Sequence, residues 1–278
     1  MGSHRESESP SDAATRATID PLATFGTDSK VGPGSILVGH CVIADDVVIG
    51  PGCVLDAGDG TLVVEPGARI GAGVTIGHPV TVGRGARLQP GTTVLRDVPP
   101  HAIVAGNPAE ISGYTTPGGV AAHATAATAP QAPGFHATSV AGVTFHRLPK
   151  VLDLRGNLTV GEFDRTIPFL PRRHFMVFGV PNSEIRGEHA HRTCHQFLIC
   201  AHGSCTVLAD DGLAREEFLL DDPSLGLHLP PLTWGVQYKY SRDAVLLVFA
   251  SEFYDSAEYV RDYAEFMALS RPPREPRR

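Results

Sequence analysis

The feature that most constrains what this chain can fold into is a six-residue beat of apolar residues in its first hundred positions. Counting in sixes from Ile19 gives Phe25, Val31, Leu37, Ile43, Ile49 and Leu55. The beat slips by three residues around Asp59-Gly60 and resumes at Val64, Ile70, Ile76, Val82, Leu88 and Val94. All thirteen positions are apolar, although only 42% of the chain is. Glycines punctuate the repeat, and those at Gly34, Gly52, Gly67, Gly73, Gly85 and Gly91 suit turns that need positive φ. The residue four past the beat is usually small, as at Ala23, Ser29, Ser35, Cys41, Cys53, Ala68 and Ala86. A large inward residue, a small companion and a glycine-bearing turn describe one face of a triangular prism. Three faces make a coil of about 18 residues, and each coil can bury its apolar rung only by stacking on the next. The repeat therefore predicts a parallel β-helix over residues 18–114.

This pattern resembles the left-handed β-helix of the hexapeptide acyltransferases. The run from Asp97 to Ala109, DVPPHAIVAGNPA, resembles the closing signature of that superfamily. The resemblance implies a last coil that helps hold coenzyme A in members that are enzymes, so acetyl-CoA is the cofactor expected of this domain if it is active. Related sugar N-acetyltransferases carry a long excursion in mid-helix. Here the corresponding stretch, Leu55 to Val64, is almost nothing. An acyltransferase needs a base for its acceptor. His40 and His78, with His101 behind them, are the histidines on offer, and none sits in a context that matches a catalytic histidine. A trimerising scaffold with degraded catalysis is the favoured role, and a working acetyltransferase the alternative.

Residues 115–140 are rich in Ala, Thr, Pro and Gly without periodicity and read as a tether. From residue 141 to 270 short alternating runs appear, among them His174–Phe178, Gln196–Cys200, Cys205–Leu208 and Ala244–Ala250. Gly, Pro, Asp and Asn separate them, which predicts an all-β sandwich or barrel. A closing helix is expected near Tyr259, Val260, Tyr263 and Phe266, capped by Asp255 with Glu258 completing a capping box.

The chemistry sits in Arg186-Gly-Glu-His189-Ala-His191. On a strand, His189 and His191 project from one face. Three readings compete: a metal site, a structural pair and a proton-transfer pair. Cupins often bind metal through H-x-H plus a later Glu and a distal His. Here Gln196 stands where the Glu would be, and no His follows Pro230–Trp234, so no metal is expected. Histidine titrates near neutrality and serves as base and then acid, which favours the third reading.

The whole unit resembles the nucleotide-sugar 3,4-ketoisomerases, a cupin (jelly-roll) family. The matching residues are Arg155-Gly156 with Leu158 and Glu162, Ile167-Pro168-Phe169 with Arg173, the Arg186–His191 motif, Gln196, Gly203, Pro230-Pro231 with Trp234, Ala250-Ser251 with Tyr254-Asp255, and Tyr259–Tyr263. The resemblance implies a reaction that moves the ketone of dTDP-4-keto-6-deoxyglucose from C4 to C3 through an enediol, with His189 and His191 as the proton-transfer pair and no cofactor. Arg186 and Arg173 are then candidates for the diphosphate. Gln196 is a candidate partner of the sugar or of a histidine, and Trp234 a candidate lining of the sugar or thymine pocket. His195, His202 and Cys194 fall outside the motif. Fusions of the two units resemble bifunctional enzymes that isomerise a keto sugar and N-acetylate the derived amino sugar. A non-catalytic sugar-binding cupin is the rival from another class, and C3/C5 epimerisation ranks low because epimerases pair a His base with a distant Tyr acid.

A net charge of -7 speaks against nucleic acid as a partner. Five cysteines without a CxxC suit a reduced cytoplasm. No apolar stretch long enough for a membrane span occurs. Residues 1–17 are expected to be disordered and 271–278 a tail. Flat prism faces and pairing barrels point to a homotrimer or a hexamer.

Overall fold

The structure is a computed structural model that describes residues 17–116, 125–181 and 184–270. The expected disordered N-terminus up to residue 16 and the tail 271–278 lie outside the described residues. Those described fall into two compact units that divide between residues 123 and 124.

The first unit is the left-handed parallel β-helix. Its pairing shows the coil length directly: Thr18 lies in register with Ile36, Ile36 with Val54, and Arg69 with Arg87. One coil is longer, since Val48 pairs with Arg69 and Val54 with Thr75. The extra residues are those of the sequence slip. They bulge at residues 57–60, where the register between Ile36–Ile43 and Val54–Val64 shifts between Val38 and His40. From Leu37 to Val94 every beat residue is buried, between 0% and 3% exposed. Ile19 and Phe25 are each 42% exposed, because the first coil has a neighbouring coil on one side only among the described residues. The turns hold close backbone contacts. A Cβ on Gly50 would meet Ala72 N at 2.8 Å, so glycine is required there by space.

The second unit is a cupin-type barrel of two sheets. Its strands are β1 (Thr144–Arg147), β2 (Arg173–Phe178), β3 (Arg186–His191), β4 (Gln196–His202), β5 (Cys205–Asp210), β6 (Arg215–Leu220), β7 (Leu225–Leu229), β8 (Trp234–Tyr238), β9 (Val245–Ala250) and β10 (Tyr259–Val260), followed by the helix α1 (Tyr263–Ser270). One sheet runs β6-β5-β8-β3-β10, with Thr125–Ala126 paired to β6. The other runs β1-β7-β4-β9-β2, with Gly134–Ala137 paired to β1. Val207, Ala209, Leu198, Leu227, Leu246 and Val248 meet in the core. At about 25 cal/mol per Å² of apolar surface, this shared burial is what holds two antiparallel sheets face to face.

Two expectations differ from the structure. Part of the stretch read as a tether, Thr125–Ala126 and Gly134–Ala137, supplies edge strands to the barrel, because an exposed sheet edge offers unpaired N–H and C=O groups to any extended neighbour. The expected single capped helix is two elements. Asp255 caps only a 3-10 turn, Ser256–Glu258, by accepting from Ala257 N at 2.8 Å. The chain then extends as β10 before α1 begins, and Asp262 accepts from Glu265 N at 2.7 Å at that helix's start.

Candidate active site

Sheet register explains why the site forms where it does. His189 lies opposite Gly235, and Gly235 opposite Ala209, so His189 points to the same side as the core residue Ala209. His191, two residues on, shares that face. On the facing sheet Arg173, Ala250 and Gln196 lie in register across β2, β9 and β4. Their side chains point to one side, with a small alanine between the two long ones. The two rows meet inside the barrel, where the Gln196 Nε2 stands 3.0 Å from His191 Nε2.

The histidine rings pack edge-on, with centroids 5.0 Å apart and planes at 83°. Burial disfavours the charged form of both. Burial pushes His191 down to about 4, helped by the neighbouring His189 and the Arg173 cation. Burial also lowers His189, opposed by its hydrogen bond to the Gly187 carbonyl. Hydrogen bonding assigns the tautomers. The Gly187 oxygen only accepts, so His189 Nδ1 carries the proton across 2.9 Å and its Nε2 keeps a lone pair. The Gln196 amide N–H donates to His191 Nε2, which puts the His191 proton on Nδ1. That nitrogen is buried and has no hydrogen-bond partner in the structure.

One residue escaped the sequence reading. Tyr259 packs on both imidazoles, with centroids 4.9 Å from His189 and 4.4 Å from His191. Its hydroxyl is 3.4 Å from the Arg173 guanidinium, and the Arg261 guanidinium lies 4.5 Å over its ring. In the sequence its apolar spacing reads as part of a helical stripe. The signal that finds it is its pairing with His191 across β10 and β3, which no local pattern displays.

The other expected residues fall in different places. Arg173 is half-buried at the site, and its Nε is buried without a partner. Arg186 is exposed at the start of β3. Trp234 is not brought to the histidines. Its neighbour Gly235 faces them, so alternation turns Trp234 to the opposite face, where it packs on Tyr263 and Phe266 of α1. His195 joins a second cluster on the outer face of the other sheet: its Nδ1 is 3.0 Å from His228, which faces Thr144 and His146. His202 is exposed beside Asp243, and Cys194 is buried with its thiol on the His195 carbonyl. Among the described residues no group of three or more His, Cys, Asp or Glu is arranged to hold a metal ion. In the β-helix, His40 is exposed and 2.9 Å from the Thr61 hydroxyl, and His78 is exposed in a left-handed turn.

The barrel thus holds two histidines side by side in opposite tautomers, one with a free lone pair and one with a free N–H. Residues 141–271 match the family model described as WxcM-like, C-terminal, and residues 17–57 and 61–96 match bacterial transferase hexapeptide repeats. The chain is 40% identical over 117 residues to a TDP-4-oxo-6-deoxy-alpha-D-glucose-3,4-oxoisomerase of Aneurinibacillus thermoaerophilus, covering 42% of this chain and 84% of that one. It therefore belongs to the WxcM-like family. A solved structure of a sugar 3,4-ketoisomerase from Thermoanaerobacterium thermosaccharolyticum in complex with TDP is 33% identical, with a TM-score of 0.46, and covers 47% of this chain and 95% of that one. The β-helix is 40% identical over 102 residues to the serine acetyltransferase of Salmonella typhimurium. There the match covers 34% of this chain and only 37% of the relative.

Proposed function

We propose that the barrel is a sugar-nucleotide 3,4-ketoisomerase acting on TDP-4-keto-6-deoxyglucose. The observation that carries this is the pair of neutral, oppositely protonated imidazoles facing one another in a buried site. The ketone at C4 acidifies the proton on C3. His189 Nε2, which holds a lone pair, takes that proton and leaves an enediolate. The His191 Nδ1 proton goes to C4, the proton on O3 ends on O4, and the ketone now stands at C3. The step leaves His189 protonated and His191 short of its Nδ1 proton, and transfer of one proton from His189 to His191 restores both neutral rings; no net change of oxidation state occurs, so these residues need no redox partner. Arg173 and Tyr259 stand beside the pair, where a cation and a hydroxyl stabilise the negative oxygen of the enediolate. Arg186, exposed at the mouth of β3, is assigned to the diphosphate as a bidentate donor.

The test is incubation with TDP-4-keto-6-deoxyglucose in D₂O, followed by NMR, beside His189→Asn and His191→Asn variants. A 3-keto product carrying deuterium at C4, lost in both variants, is the expected result. Neither product nor exchange at C3 would overturn the reading. The five cysteines are all free and buried, which supports a cytoplasmic setting. No helix among the described residues is long and apolar enough to cross a membrane.

The serine acetyltransferase similarity supports a second activity in the same chain, use of an acyl-CoA by the β-helix. Thiol release from acetyl-CoA with 3-amino-3,6-dideoxyhexose nucleotides as acceptors tests it. We also assign the β-helix a trimerising role. Ile36, Val38 and Leu95, each more than 40% exposed, give its flanks apolar surface to bury.

A further inference from the structure

Moving a ketone from C4 to C3 shifts protons at oxygen as well as at carbon. His189 and His191 serve the two carbons, and one proton must also pass from O3 to O4. These oxygens sit on neighbouring carbons, so a direct transfer is sharply bent, and hydrogen-bonded contacts weaken steeply below about 120°. A group that gives one proton while taking another removes that difficulty. Among the described residues, Gln196, Arg173, Arg261 and Tyr259 stand around the imidazoles. A guanidinium keeps its protons, which rules out the two arginines. The Gln196 amide is engaged with His191 Nε2 at 3.0 Å. A phenol is donor and acceptor at once, and Tyr259 supplies one.

Tyr259 is held in place from several sides. In the pairing of β10 with β3 it lies opposite His191, and Val260 lies opposite Ala190. Just before it, Glu258 clasps the turn that follows His191. The Glu258 carboxylate accepts from the Thr193 backbone N–H at 2.9 Å and from the Thr193 hydroxyl at 2.8 Å, and the Glu258 carbonyl accepts from the Arg192 N–H at 3.0 Å. At the tip of the ring, Arg173 Nη2 donates to the hydroxyl oxygen at 3.4 Å. A guanidinium only donates, so this contact takes a lone pair of the phenol and leaves its O–H without an acceptor among the described residues. Arg173 reaches in from the facing sheet, so the hydroxyl is held between β10 and β2, beside the imidazoles.

We propose, on the ketoisomerase reading of this site, that the Tyr259 hydroxyl is a further catalytic group, the relay that carries the proton from O3 to O4. Once His189 has taken the C3 proton, O4 bears the negative charge and O3 its hydroxyl. The Tyr259 O–H bond breaks toward O4 as the O3–H bond breaks toward the phenol oxygen. An O–H bond forms at O4, the phenol is restored in the same step, and the charge now stands on O3. The electron pair of the C3=C4 bond then takes the His191 proton at C4, and C3–O⁻ becomes the ketone. The cations of Arg173, at the hydroxyl, and Arg261, 4.5 Å over the ring, stabilise the negative charge that passes across the phenol oxygen.

Tyr259→Phe keeps the ring that packs on both imidazoles and removes only the hydroxyl. Full-length parent and variant are compared on TDP-4-keto-6-deoxyglucose in D₂O, with NMR reading two quantities: the 3-keto product, and washout of the C3 hydrogen from recovered substrate. In Tyr259→Phe, product formation should fall about 10²-fold or more with KM little changed. Washout should fall far less, because the carbon base is intact and the stranded enediolate returns to substrate. The ratio of washout to product therefore rises about tenfold or more. An unchanged urea midpoint, read by Trp234 fluorescence, shows that the variant is folded. Turnover in Tyr259→Phe equal to that of an active parent overturns this inference alone. So does loss of product and washout in equal proportion, which means that the hydroxyl only steadies the enediolate charge. A parent that shows neither product nor washout overturns the isomerase reading, and this inference with it.

Discussion

Acidification from pH 7.5 to 5.0 should strip the barrel of much of its stability, and the structure fixes both the sign and the size. His146, His191 and His228 are 4–8% exposed, and burial lowers each to about 4. In the unfolded chain a histidine titrates near 6.5. The folded value is the lower one, so the unfolded state binds the extra proton as the pH falls below 6.5, and stability drains from there down to about pH 4. At pH 5.0 each such histidine favours unfolding by about 2 kcal/mol, because the unfolded form is almost fully protonated and the folded form hardly at all. Three of them give about 6 kcal/mol, against a typical domain stability of about 5–15 kcal/mol. Carboxylates contribute little in this window, since their stabilisation is lost mainly below it; Asp222, held down to about 2, is an example. The sequence supplies the reporter: Trp234 is the chain's only tryptophan, and it is buried in the barrel against Tyr263 and Phe266. Urea unfolding followed by Trp234 fluorescence therefore reads the barrel alone. With a slope of about 2 kcal/mol per M, the midpoint should fall by about 2–3 M between the two pH values. His191→Asn should shrink the loss by about a third, which separates the active site from the outer cluster. A change under about 1 kcal/mol, or a loss that sets in only below pH 4, would refute the reasoning.

Other consequences follow from named contacts. His189→Asn and His191→Asn should each lower kcat by about 10²–10⁴-fold, measured by the NMR assay, with TDP binding kept. Gln196→Leu removes the donor that fixes the His191 tautomer; kcat should fall about tenfold or more with KM little changed, whereas a purely structural role would move the urea midpoint instead. Asp210 pairs with Arg215 and accepts from the Tyr263 hydroxyl at 2.6 Å, with both charged side chains under 5% exposed. Asp210→Ala removes the carboxylate that neutralises the buried Arg215 cation and should cost about 3–5 kcal/mol in the Trp234-reported unfolding. Gly50→Val drives a Cβ to 2.8 Å from the backbone of the next coil. It should destabilise the β-helix while leaving the Trp234 transition in place, which differential scanning calorimetry can resolve.

How much was legible in the sequence depended on whether the signal was local. The β-helix is the clearest case: its period is short, its repeats are successive in the chain, and the residue that pairs with Ile36 is simply one coil on, at Val54. The slip at residues 57–60 was legible for the same reason. In the barrel, the alternation within β3 was enough to put His189 and His191 on one face. What β3 pairs with was not visible. Trp234 shows the cost. Its position one residue from Gly235 decides that it faces α1, but only the register between β8 and β3 says that Gly235, not Trp234, lies over His189. Tyr259 is the converse. Its apolar spacing with Val260, Tyr263 and Phe266 suits a helix, and pairing with β3 overrides that local preference. The second histidine cluster has no local signal, because Thr144, His146, His195 and His228 come from three segments scattered over 84 residues.

In the proposed mechanism one residue type fills two opposite roles. His189 and His191 are two residues apart on one strand, share one face and sit in the same buried space. Burial alone would make them alike, since it lowers both. What divides them is the partner each ring nitrogen meets. A backbone carbonyl, which can only accept, claims the proton of His189 for Nδ1. An amide N–H from the opposite sheet, which can only donate, denies His191 a proton at Nε2 and sends it to Nδ1. One free lone pair and one free N–H remain, as a shift of a proton from carbon to carbon requires. The arrangement explains why Gln196 is a glutamine here and not a carboxylate. A carboxylate in its place could not donate; it would draw the proton to His191 Nε2, raise that imidazole's proton affinity and leave the site with two bases and no neutral acid. Gln196→Glu is therefore the sharpest single test of the division: the stability loss near pH 6 should lessen, because His191 would then charge in the folded state, while turnover falls. If turnover in Gln196→Glu matches that of the parent across pH 6–9, the division of roles argued from these two hydrogen bonds is wrong.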